Sequence, residues 1–288
     1  DINKIEIYSD NLNDEKILNF DNQNEKLFSI IKNCELLNYL SSSLKKNKLF
    51  QIKINIKNFD SIHKNYDLVF NCDPDNQVSK KYFYRKITKN YKSFAYASII
   101  HHKRLVNNNT ALQIFTKKGP FAYLPISQTE TSIVYSFKGI EDIDLKEHIK
   151  KYSLKYNSKY EINKIENPIK FKLHSSNLRS YHYKNILAFG DTLHKLHPLA
   201  GQGFNMSLRD IKEIFELIKF RINLGLPLDS SIFLDFENKI KNKNFIFSDS
   251  INFIYEYFNL EQKFNGSLLS KSVKFLGKNK ILNKSIKK

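Results

Sequence analysis

Four short segments in the middle of the chain constrain the fold most. Residues 93–101, 111–116, 121–126 and 131–137 are rich in aromatic and β-branched side chains. Short polar stretches at Asn107–Asn109, 117–120 and 127–130 separate them. Strands joined this tightly pair antiparallel, because a parallel pair needs a crossover of a dozen residues or more. On either side the pattern changes. Before the strands come two short strand patterns, 5–8 and 16–20, and a rough apolar helix pattern over 26–46 carried by Leu27, Ile30, Ile31, Leu37, Leu40 and Leu44. Alternating Ile52, Ile54 and Ile56 predict a strand over 50–56, and Asp67-Leu68-Val69-Phe70 predicts a buried one stopped by the Asp73-Pro74-Asp75-Asn76 turn. After the sheet, 145–152 reads as a helix, 169–174 as a strand, 186–189 as a short buried strand and 232–260 as a further helix. The order therefore predicts α/β (α+β) architecture, with an antiparallel sheet inserted into an interrupted nucleotide-binding domain.

Composition excludes several classes. At 41% hydrophobic and 26% charged, the 288 residues are ordinary globular material and not a disordered tract. No apolar run approaches the roughly 20 residues that cross a bilayer as a helix. The net charge of +18 is mostly lysine, since only five of the 47 basic residues are Arg. Abundant Lys, Asn and Ile read as the signature of an AT-rich coding sequence, and a phosphate reader would use more Arg, so no nucleic-acid partner is expected. Cys34 and Cys72 have no metal-ligand spacing, no metal is expected, and a cytoplasmic location is the default.

The densest chemical signal runs from Leu187 to Asp210: Leu-Ala-Phe-Gly-Asp-Thr-Leu-His-Lys-Leu-His-Pro-Leu-Ala-Gly-Gln-Gly-Phe-Asn-Met-Ser-Leu-Arg-Asp. It holds three of the chain's eight glycines. A buried strand delivers Asp191 to its carboxyl end, where ligands sit in α/β sheets and a carboxylate accepts hydrogen bonds from sugar hydroxyls. Gly201 and Gly203 are expected to bring backbone close to a flat ligand and to adopt positive φ. A helix is predicted from Asn205, with Leu208, Ile211, Phe215, Ile218 and Ile222 as its buried face and its free N–H groups aimed at the ligand.

This string resembles the Gly-Asp…His-Pro…Gly-Gln-Gly…Asn…Arg-Asp signature of flavin-dependent aromatic hydroxylases with the para-hydroxybenzoate hydroxylase fold. The wording His-Pro-Leu-Ala-Gly-Gln-Gly-Phe-Asn is nearest to the ubiquinone-biosynthesis hydroxylases. The stretch 115–126, with Gly119-Pro120 and Leu124-Pro125, and the segment 67–74 resemble further family motifs. The resemblance implies an interrupted Rossmann-like FAD-binding domain (1–90 and 179–226), an antiparallel-sheet substrate domain (91–178) and a C-terminal helical region (227–288). It implies that Asp191 binds the ribityl chain of FAD and that Pro198, Gly201, Gln202, Gly203, Phe204 and Asn205 lie along the isoalloxazine ring. NAD(P)H would reduce FAD, O2 would add at the flavin C4a, and an electron-rich ring would be hydroxylated. The substrate class implied is a polyprenylated phenol, lined by some of Phe94, Tyr96, Ile114, Phe121 and Tyr123, although half of a strand's residues merely pack the core. Peripheral contact with the inner membrane and a place in a ubiquinone-biosynthesis complex are implied with it.

The residues assign no catalytic base. His194 and His197 read as loop structure, Arg209 and Asp210 as a pair or a loop support, and His101-His102 as a surface pair pointing to opposite faces. Three departures count against the resemblance. The chain has no Gly-x-Gly-x-x-Gly, the element that cradles the FAD pyrophosphate, and it starts at Asp1 without Met, so about 70–100 upstream residues are expected to be missing. Asp73-Pro74 replaces an Asp-Gly turn, and Thr192-Leu193 replaces Ala-Ala. Asp73-Pro74 favours the alternative, a degenerate, non-catalytic member acting as a subunit or lipid-binding component of a biosynthetic complex, and the intact loop from Gly190 to Asp210 opposes it.

Overall fold

The computed structural model describes residues 1–10, 16–21, 26–53, 62–139, 143–196, 202–263 and 271. Its elements run β1 (Lys4–Ser9), β2 (Lys16–Asp21), α1 (Asn33–Lys45), α2 (Ile62–Asn65), β3 (Val69–Asn71), α3 (Gln77–Tyr82), β4 (Lys86–His102), β5 (Thr110–Thr116), β6 (Gly119–Pro125), β7 (Glu130–Lys138) and α4 (Leu145–Tyr156). Then come β8 (Ile162–Ile165), β9 (Ile169–Leu178), β10 (His182–Tyr183), β11 (Ile186–Ala188), β12 (His194–Lys195), α5 (Gln202–Asn223) and α6 (Ser231–Lys263). The chain divides into two units: Asp1–Gln51, Lys92–Lys172 and Glu256–Lys288 form one, and Ile52–Tyr91 with Leu173–Tyr255 form the other.

The first unit is built on the four strands read from the sequence. β5, β6, β7 and β4 pair antiparallel in that order. β1 joins β5 in parallel and carries β2 on its far side, so residues 1–51 group with the sheet, whereas the sequence reading placed 1–90 in the other domain. Period-two alternation sends Ile114, Phe121, Tyr123, Ile133 and Tyr135 to one core, where α4 adds Leu145 and Ile149. Asp144 caps α4 by accepting the Lys146 and Glu147 N–H groups at 2.9 and 3.3 Å. The β5–β6 turn requires glycine. Gly119 has φ +138°, and a Cβ there would lie 1.9 Å from the carbonyl oxygen of Ser136.

Three expectations change in this unit. The helix expected over 26–46 is α1, which starts at Asn33 and buries none of its residues. Residues 50–53 are not a strand, and 54–56 of that expected strand lie outside the described residues. Tyr96, Ile114, Phe121 and Tyr123 pack the core at 4% exposure or less, so the core reading of those side chains holds. Of the histidine pair, only His101 reaches the surface, beside Glu166 at 2.8 Å. His102 is buried, with Nε2 3.0 Å from Thr131 Oγ1 and its ring against Tyr160.

In the second unit β11 lies between β10, antiparallel, and β3, parallel. Ile186, Leu187 and Ala188 are fully buried, as in a strand covered on both faces. Helix α6 covers them with Ile232, Phe233, Phe236 and Ile240. The β10–β11 turn places Lys184 at φ +52°, and Asn185 Nδ2 donates to the His63 carbonyl at 2.9 Å. The Asp73–Asn76 turn is satisfied internally. Asp73 Oδ1 accepts the Asp75 N–H at 2.9 Å, and Asn76 caps α3 by accepting the Ser79 N–H at 2.8 Å.

Candidate functional site

The site starts where β11 ends. Phe189 N–H still donates to the Asn71 carbonyl at 2.9 Å, extending the parallel ladder by one residue. Gly190 then turns the chain at φ +58°, a left-handed conformation that costs a side-chain-bearing residue about 1–2 kcal/mol. A tight turn over Gly190–Thr192 follows, closed by the Leu193 N–H on the Gly190 carbonyl at 3.0 Å. This geometry sorts the side chains. Asp191 is exposed, while Thr192 and Leu193 are buried at 1%. Thr192 Oγ1 is buried with no hydrogen-bond partner among the described residues.

The chain next makes β12, paired with β9 through His194↔Asn177 and Lys195↔Ser176. Residues 197–201 lie outside the described residues, and with them the expected site positions Pro198 and Gly201, as well as His197. Helix α5 begins at Gln202, three residues before the expected start at Asn205. The N–H groups of its first turn therefore belong to Gln202, Gly203, Phe204 and Asn205, and no acidic side chain sits there to neutralise the positive helix end. Gln202 and Gly203 are half-buried; Phe204 and Asn205 are exposed. Gly203 does not adopt the expected positive φ, and a Cβ on it would meet no atom of the described residues within 4 Å.

The buried face of α5 is also not the expected one. Leu208, Ile211, Phe215 and Ile222 are exposed; Met206, Asp210 and Ile214 are buried, with Leu217 and Ile218 packed beside them. Asp210 and Arg209 do not pair. The Arg209 guanidinium lies 4.3 Å over the Phe247 ring. Asp210, 1% exposed, accepts from His194 Nε2 at 2.6 Å and from Asn244 Nδ2 at 3.1 Å. One buried carboxylate thus joins β12, α5 and α6.

A second buried carboxylate fixes the turn before β10. Glu237 accepts the Tyr181 N–H at 2.9 Å and Lys241 Nζ at 2.7 Å, with His182 Nδ1 at 3.2 Å. Burial pushes this carboxyl up, but Lys241, the Tyr181 N–H and His182 together outweigh it and hold the group below its usual range. Sequence reading missed both carboxylate networks. The available signal was polar Glu237, Asn244 and Ser248 recurring in register with Ile240, Ile251 and Tyr255 on one face of α6, all buried.

The α/β fold so assembled is that of FAD-dependent monooxygenases. The p-nitrophenol 4-monooxygenase PnpA of Pseudomonas putida DLL-E4 matches it with TM-score 0.68 at 11% identity, over 99% of this chain and 80% of that one. CtdE, solved in complex with FAD and a substrate, matches with TM-score 0.67 at 10% identity, over 100% of this chain and 83% of its own. Among characterised proteins, the chain is similar to the mitochondrial ubiquinone biosynthesis monooxygenase COQ6. The Danio rerio protein is 21% identical over 211 residues, 59% of this chain and 44% of that protein. The Homo sapiens protein is 25% identical over 169 residues, 45% of this chain and 36% of its own length. The chain thus spans less than half the length of these relatives. No protein-family model matches it. The resemblance read from residues 190–210 is borne out by these likenesses.

Proposed function

We propose that residues 190–205 are the flavin-facing part of an FAD-dependent monooxygenase that hydroxylates an aromatic ring, with a polyprenylated phenol of ubiquinone biosynthesis as substrate. The observation that carries this reading is the exposed Asp191 at the carboxyl end of the buried parallel strand β11, followed in the chain by α5, whose first turn carries no acidic side chain. These groups suit FAD in three ways. The Asp191 carboxylate accepts hydrogen bonds from ribityl hydroxyls. The first-turn N–H groups of Gln202 to Asn205 and the positive end of α5 favour the negative charge a reduced flavin ring carries. Gly203 leaves open space where a planar ring needs close approach. Pro198 and Gly201 complete the proposed contact set. When bound, FAD supplies the chemistry: it takes electrons from NAD(P)H and delivers one oxygen atom of O2 to the ring. The protein's task is to bind, orient and exclude water. The residues of this chain contain no Gly-x-Gly-x-x-Gly, so they hold the flavin and ribityl end, not the pyrophosphate. Among the described residues no helix is long and apolar enough to cross a membrane. A prenylated substrate resides in lipid, so peripheral contact with the inner membrane from the cytoplasmic side, within a biosynthetic complex, belongs to the same reading.

The test is Asp191→Ala in the complete polypeptide, with FAD affinity read by flavin fluorescence. Loss of a hydrogen-bonding carboxylate weakens FAD by at least about tenfold; unchanged affinity refutes the site. A second reading, a non-catalytic family member acting as a subunit, draws on the Asp73–Asn76 turn, whose Asp73 and Asn76 side chains are engaged within the chain. A complete protein that purifies colourless and gains no flavin absorbance when FAD is added supports that alternative.

A further inference from the structure

β8 is an edge strand. Its one ladder is with β4, through Ile100↔Ile165, His101↔Lys164 and His102↔Ile162, and no strand among the described residues pairs with its other side. The Glu166 N–H donates to the Ile99 carbonyl at 2.9 Å. Antiparallel alternation therefore turns Lys164 toward β4 as well, and the backbone N–H and C=O of Ile165 toward the open side; the register shift between His101 and His102 makes Asn163 a bulge. A groove runs between this strand and α4, lined by Lys146, Lys150 and Leu154 from the helix and by Asn163, Lys164 and Ile165 from the strand. The three helix residues stand four apart, on one face. Leu154 is 80% exposed. Among the described residues no acidic side chain lines the groove. The ammonium groups of Lys146, Lys150 and Lys164 have no carboxylate within ion-pair distance among the described residues, whereas Lys103 and Lys155 in the same unit reach Glu161 and Asp10 at 3.3 and 3.5 Å.

We infer that this groove binds an extended acidic segment of a partner protein, which adds a strand to β8 and sets carboxylates against the three lysines. Open strand edges capture peptides through main-chain hydrogen bonds, and flanking side chains supply the selectivity. The charge argues for the occupant. Three unpaired cations around one groove favour a polyanion, and the outward backbone groups need a partner that both donates and accepts. A peptide does both; a lipid phosphate only accepts. Lysine on an edge strand also discourages unwanted pairing, which accounts for Lys164 but not for Lys146 and Lys150 on the helix.

The experiment uses the whole chain and a fluorescein-labelled synthetic peptide of alternating glutamate and valine, with binding followed by anisotropy. Saturable binding that weakens as salt is raised is expected. Combined Lys146→Glu, Lys150→Glu and Lys164→Glu reduces affinity by about tenfold or more. Ile165→Pro removes an outward N–H at a position where an edge strand tolerates proline, and it lowers affinity while the circular dichroism spectrum is preserved. Absence of saturable binding overturns the proposal. So does binding that survives Ile165→Pro, which reduces the groove to a patch of charge without strand addition. Lysine-dependent binding to phosphatidylcholine vesicles containing phosphatidylserine, with no binding of the peptide, overturns it in favour of a lipid surface.

Discussion

Replacing Asp210 by Ala should cost more stability than any other single polar change in the second unit. The carboxylate is 1% exposed and accepts from His194 Nε2 at 2.6 Å and from Asn244 Nδ2 at 3.1 Å. Its removal strands two buried donors, each worth about 1–3 kcal/mol when left unpaired. The expected loss is therefore about 2–6 kcal/mol for the two stranded groups, against a typical total of about 5–15 kcal/mol. Asp210→Asn keeps the shape and one acceptor oxygen, and its loss should be the smaller. Urea unfolding followed by far-UV circular dichroism reads the effect as a fall in midpoint of at least about 1 M for the alanine variant. His194→Ala in the Asp210→Ala background should cost little more, because the shared partner is already gone. An Asp210→Ala midpoint indistinguishable from the parent, or strict additivity with His194→Ala, refutes the argument that this carboxylate ties β12 to both helices.

Other outcomes follow from single groups. Glu237→Gln should lower stability at neutral pH by about 1–3 kcal/mol. Because the folded state holds the Glu237 carboxyl low, its contribution is present above the unfolded-state value and disappears as pH falls through the folded-state value. The gap between parent and variant in urea midpoint should therefore close on acidification, and a gap independent of pH contradicts this. Lys184→Gly should raise the thermal midpoint, since φ +52° costs a lysine about 1 kcal/mol that glycine does not bear. A fall in midpoint would mean that the contact of Lys184 Nζ with His63 Nε2 at 3.3 Å outweighs the backbone term.

Much of the fold is legible because period-two alternation in 93–137 has a single solution: one face apolar, short turns between. The Gly-Asp turn is legible for a different reason, since a buried strand followed by glycine and an acid leaves the acid outside. Helix α5 was misread for a physical cause. It carries apolar residues on both faces, so Leu208, Ile211 and Phe215 form as good a stripe as Met206, Ile214 and Leu217, and periodicity alone cannot choose. The deciding feature was the polar Asp210, buried because it meets His194 and Asn244. Asn244 lies 34 residues further along the chain, and sequence pattern carries no information about so distant a partner. β8, β10 and β12, two to four residues long, are too short to show a pattern at all.

The glycines of this chain answer to two different masters. At Gly119 the demand is internal: the Ser136 carbonyl occupies the place of any Cβ, so alanine there should prevent the sheet from closing whether or not a ligand exists. At Gly203 nothing among the described residues objects to a methyl group. A library selected only for folding should accept substitutions at 203 and reject them at 119. The proposed FAD site predicts that one selected for turnover rejects both, and that the residues on which the two selections disagree trace the outline of that site without a crystal.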